Sequence, residues 1–77
     1  MAAPKIETYK GWTLRSKRVG VHGAYGGLAW PGNEDAEMEV PLEDFVAAGN
    51  YIGKGAQKRV LGRLKEKIDA RLKEAAH

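Results

Sequence analysis

Covalent or acid–base catalysis needs a nucleophile, a proton acceptor and a group that orients the acceptor. This 77-residue chain offers little of that kind: one serine (Ser16), no cysteine, and two histidines, His22 and His77. His22 lies between Gly20 and Gly23, a setting that reads as a hairpin edge and supplies no partner for proton transfer. The acidic run Asn33, Asp35, Glu37, Glu39 has neither the central glycine nor the distal glutamate of a calcium loop. Gly20, Gly23, Gly26 and Gly27 lack the GK[ST] ending of a phosphate loop and do not open a helix, so they read as turn chemistry. The expectation is therefore no catalytic residue, no metal and no cofactor.

What remains to do chemistry is charge. The net value of +3 divides unevenly along the chain. Lys5, Lys10, Arg15, Lys17 and Arg18 stand against Glu7 alone, a local balance of +4. Residues 34–44 carry Glu34, Asp35, Glu37, Glu39, Glu43 and Asp44 with no cation, giving −6. Residues 54–77 return to +5, with Arg59, Arg63, Lys67 and Arg71 stepping by four. Like charges closer than a Debye length reinforce one another, so this segregation steers partners more than the net charge does. The candidate binding groups are Arg15, Lys17, Arg18 and the Arg59–Arg71 row on the basic side, and Glu34, Asp35 and Glu37 on the acidic side. Tyr9 and Trp30 are candidate aromatic anchors, provided they face outward.

These groups need elements to carry them, and the length allows one domain with a small core. Residues 5–40 read as a strand-rich sheet. Residues 5–15 alternate, with Ile6, Thr8, Trp12 and Leu14 on one parity and a bulge at Gly11. A second strand covers 18–25, Gly26-Gly27 makes a tight hairpin turn, and Leu28-Ala29-Trp30 follow as a third strand. A fourth short strand is placed around Met38-Glu39-Val40. Pro41 and the acids after it predict a short helix over 42–48, stopped by Gly49-Asn50. Val60, Leu61, Leu64, Ile68 and Leu72 recur at three- and four-residue steps, predicting a long amphipathic helix over 56–75. The fold class is α+β: a small antiparallel sheet of three or four strands packed against that helix. The apolar runs are too short for a membrane span, and the chain lacks the regions of a secretory signal, so a cytoplasmic protein is expected.

The phrase Ile6-Glu7-Thr8-Tyr9-Lys10-Gly11-Trp12-Thr13-Leu14-Arg15, the strand Leu28-Ala29-Trp30 and the helix segment Ile68-Asp69-Ala70 resemble a class of very small phage and prophage proteins. That resemblance implies an accessory protein without enzyme activity. Some phage proteins of this size are inhibitors of bacterial defence complexes, the anti-CRISPR proteins among them. The outline also looks like three-stranded-sheet-plus-helix DNA readers of the integrase arm-binding type, for which Arg15, Lys17, Arg18 and Trp30 would be the contacting residues. The leading expectation is a non-enzymatic binding module, monomeric or homodimeric, that docks on a larger bacterial protein or ribonucleoprotein complex. The alternative is a small DNA- or RNA-binding domain using strand and helix Lys/Arg.

Overall fold

The computed structural model describes residues 4–20 and 23–75. Four strands, β1 (Lys5–Tyr9), β2 (Trp12–Val19), β3 (Ala24–Pro31) and β4 (Val46–Tyr51), form one antiparallel sheet in sequence order. The helix α1 (Ala56–Ala75) packs across one face of it. Two 3-10 turns, Glu34–Met38 and Leu42–Asp44, lie between β3 and β4. The α+β class and the bounds of the long helix agree with the sequence reading.

The interior of the sheet differs from that reading in three places, each with a physical cause. Residues 5–15 are two strands, because Lys10 (φ 50°) and Gly11 (φ 82°) form a two-residue turn that pairs Tyr9 with Trp12. Two successive positive φ values match the right-handed twist of a hairpin. The turn also exchanges the parity: Glu7 and Tyr9 now share the helix-facing side with Trp12 and Leu14, while Ile6 and Thr8 face away.

The second difference is at Gly26-Gly27, which form no turn and lie inside β3, opposite Lys17 and Ser16. Gly27 is where the helix meets the sheet. A Cβ there would overlap the Val60 Cγ1 methyl and lie 2.8 Å from Leu64 Cδ1. The β2–β3 connection is instead the segment 20–23, within which His22 lies outside the described residues. The same holds for Val21, within the expected strand 18–25, and for His77.

The third difference concerns the expected fourth strand and short helix. Met38 ends a 3-10 turn, and the chain bends through Val40. Asn33 caps that turn by accepting the Ala36 N–H at 3.1 Å. The helix expected over 42–48 is confined to Leu42–Asp44, and the backbone turns extended at Phe45 (ψ 147°). Val46 then pairs with Ala29 and buries its side chain in the core. A helix of seven residues has little cooperative stability, whereas strand pairing satisfies the outer hydrogen-bonding side of β3.

The core joins Trp12, Leu14, Ala29 and Val46 of the sheet to Val60, Leu61, Leu64 and Ile68 of α1. On the far side of the sheet, Trp30 is 1 % exposed and roofed by the segment after β3, with Phe45 at a ring-centroid distance of 6.0 Å. No helix among the described residues is long and apolar enough to cross a membrane.

Candidate functional site

The helix places its basic row against the β4 side of the sheet. Arg59 donates to the Ile52 carbonyl at 2.7 Å and lies over the Tyr51 ring at 5.9 Å. Lys67 donates to the Ala47 carbonyl, and Arg71 to the Glu43 carbonyl at 3.0 Å. Arg63 pairs with Glu66 one turn along the helix at 2.9 Å. A row of like charges destabilises an isolated helix. Here Lys67 neighbours a backbone oxygen of β4, and Arg59 and Arg71 neighbour ones beyond its two ends, which lessens that cost and places charge beside the strand.

The opposite flank of α1 is tied to β1. The Tyr9 hydroxyl is shared between both oxygens of Asp69 at 3.0 Å, and Lys10 Nζ donates to Asp69 Oδ1 at 2.9 Å. The Lys10 ammonium, and then the Tyr9 hydroxyl, hold the Asp69 carboxyl below its ordinary value. Asp69 in turn raises Lys10 above the usual lysine range. Lys65 approaches Glu7 at 3.4 Å. Tyr9 is therefore half-buried and engaged within the fold. Trp30, the other candidate anchor, is buried and donates its indole N–H to the Asn33 carbonyl at 2.8 Å.

Arg15 and Glu37 meet on the sheet face away from the helix, with Arg15 5.3 Å from the Trp30 ring. Glu34 and Asp35 stand exposed in the first turn of the same 3-10 segment. That segment follows Pro31, at the end of the sheet that also holds Trp12 and the Lys10-Gly11 turn. Among the described residues, no group of three His, Cys, Asp or Glu side chains is placed to hold a metal ion.

Lys17 and Arg18 are at the other end of the sheet, opposite Gly26 and Tyr25, and both are exposed. Folding adds three cations there that sequence spacing keeps apart. Lys5 begins β1 and pairs with Ser16. Tyr25 is paired with Tyr51, so β4 delivers Lys54 to this end, and the first turn of α1 adds Lys58. Lys5, Tyr25, Gly53, Gly55 and Lys58 line one shallow depression of about 340 Å³. A second, of about 350 Å³, opens beside it on the sheet face away from the helix, with Arg15, Lys17 and Val19 along its side and Gly26 and Gly49 in its lining.

Residues 16–20, 23–28 and 48–60 at this end contain no Asp or Glu, while in β1 Glu7, paired with Lys65, lines a depression of about 480 Å³ together with Lys5 and Lys58. The first turn of α1 has no acidic residue either, so the positive end of the helix dipole is left uncompensated. The signal available in the sequence was that Glu7 is the sole acid before Glu34. Which cations share the end depends on hairpin register, which the misplaced turn at Gly26-Gly27 concealed. No protein-family model matches the chain, and no curated protein or solved structure matches it significantly.

Proposed function

We propose that the chain is a non-enzymatic binding module that docks, through its cation-rich end, on an anionic surface of a larger bacterial protein or protein–nucleic-acid complex. The observation that carries this reading is the placement of Lys5, Lys17, Arg18, Lys54 and Lys58, from β1, β2, the β4–α1 loop and α1, at one end of the molecule, with Lys17 on the sheet face away from the helix. None of the five has a carboxylate partner among the described residues. Close cations repel one another and weaken the fold unless a counter-charge arrives, so such a cluster is suited to an anionic partner. The resemblance to small phage proteins fits a modulator that occupies a surface without transforming it.

The test is retention on immobilised heparin, a polyanion, for two variants of equal net charge. Lys58→Glu removes a cation from the cation-rich end, and Lys73→Glu removes one from the last turn of α1. The expected result is early elution of Lys58→Glu and a smaller shift for Lys73→Glu. Equal shifts would mean that only net charge is sensed, and would overturn the reading.

A further inference from the structure

We infer that the partner at the cation-rich end is double-stranded DNA, held by its phosphates without base readout. This rests on the anionic-docking reading above and adds the class of partner.

Three features select it. The first is how the cations are spread. Lys17 and Arg18 come from β2, Lys54 from the β4–α1 loop and Lys58 from α1, so their charges are distributed over the end of the molecule. The molecule measures 40 × 23 × 18 Å, and its long direction is that of the helix and the long strands. The end is then 23 Å across at most. At about 3.4 Å per phosphate along each strand, this spans roughly seven base pairs. Shape-reading contacts with double-stranded RNA extend over about 16 base pairs, more than this end can reach.

The second feature is that the described residues at this end form no stacking platform. Single-stranded nucleic acid is held by exposed aromatic side chains on which bases stack. At this end Tyr25 and Tyr51 are half-buried and packed against the core, and the Tyr51 ring is occupied by Arg59. Phosphates need no such platform.

The third feature is that, among the described residues, the exposed large apolar side chains at this end form no anchor. Tight protein interfaces centre on a desolvated aromatic or aliphatic cluster. The large apolar side chains exposed towards this end are Ile52, 60 % exposed, and Ile6, 42 % exposed. They lie on opposite sides of the sheet, one after β4 and the other in β1, so they form no patch. Charge without an anchor suits a phosphate backbone, where counterion release provides the driving force.

Fluorescence anisotropy with the full chain separates the cases. The probes are two unrelated 20-base-pair DNA duplexes, a single strand, an RNA duplex and polyglutamate. The expected result is equal binding of both DNA duplexes, tighter than to the other probes. With four phosphate contacts the slope of log K on log salt is about −3.6, so affinity drops roughly a hundredfold between 50 and 200 mM salt. Lys54→Gln with Lys58→Gln lowers the slope's magnitude by about 2, and Lys73→Gln leaves it unchanged. Circular dichroism melts confirm that each variant is folded. Polyglutamate binding without duplex binding would overturn the DNA assignment and leave the anionic-docking reading standing. Tighter binding of the single strand or the RNA duplex would overturn it equally. No binding of any probe at 50 mM salt would remove both.

Discussion

Arg15 and Glu37 form a two-pronged ion pair, each guanidinium nitrogen 2.8 Å from its own carboxylate oxygen. Both side chains are less than one third exposed, at 27 % and 31 %. The pair links a central strand to the acidic 3-10 turn and so holds the roof over Trp30. One of the six acids between residues 34 and 44 is thereby neutralised on the sheet. Bidentate geometry adds direction as well as energy. Replacing Glu37 by Gln should cost about 1–2 kcal/mol, between the ranges for exposed and buried pairs. Amide hydrogen exchange should accelerate across 33–45 and stay unchanged in α1. Unchanged exchange in the roof would show that the pair does not hold it.

Gly27 and Gly62 should respond oppositely to the same added methyl. At Gly27 it would strike Val60 and Leu64 and lie 3.1 Å from the Arg15 carbonyl, all within packed structure. Overpacking of this kind costs about 2 kcal/mol, or roughly 10 °C in melting temperature for a domain of this size. At Gly62, on the exposed side of α1, a Cβ meets nothing within 4 Å. Gly62→Ala should then stabilise by about 0.5–1 kcal/mol through helix propensity. Melting curves of the two variants that move in the same direction would contradict this account.

The same glycines show where the sequence was legible. The α1 stripe repeats over more than three turns, so Val60, Leu64 and Ile68 reveal their face without tertiary information. A Gly-Gly pair is ambiguous: it serves a tight turn as well as a close approach of helix to sheet, and only the helix position decides between them. In the sequence Gly11 reads as a bulge because Lys10 breaks the apolar parity, and nothing signals a turn there since lysine rarely adopts positive φ. That single two-residue turn reassigns the facing of every β1 side chain. Val46-Ala47-Ala48 was read as helix from local composition, whereas its state is set by pairing with Ala29, Leu28 and Gly27. The charged groups were legible by type. Their grouping was not, since Lys5, Lys17 and Lys58 meet only through strand register.

Stability should fall at acid pH through Asp69. Its carboxyl titrates lower in the folded chain than when unfolded, because Lys10 and Tyr9 donate to it. Its contribution is present above the unfolded value, near pH 4, and is lost as pH drops through the lower folded value. Lys10 has the reverse sign: it titrates higher when folded, so its contribution persists below its ordinary value and disappears at strongly alkaline pH. Denaturant midpoints measured from pH 5 to pH 2 should therefore decline less steeply in Asp69→Asn than in the parent chain. Parallel curves would show that the pair is too well solvated to matter.

The caps along β4 suggest what their removal would do. An open strand edge offers unpaired backbone groups to another chain, and proteins commonly guard it with charge. Lys67 and Arg71 donate to the Ala47 and Glu43 carbonyls on that side of the sheet, and Ala47 itself is exposed. Lys67→Met with Arg71→Met keeps side chains of similar length while removing both donors and both charges. Each exposed hydrogen bond contributes about 1 kcal/mol at most, so the monomer should remain folded. Sedimentation velocity should nevertheless show larger species than the parent chain, growing with concentration. Lys73→Met, which removes a charge from the same helix without touching β4, should leave the distribution unchanged. Matching behaviour of the two variants would assign the effect to lost net charge and remove the role in edge protection.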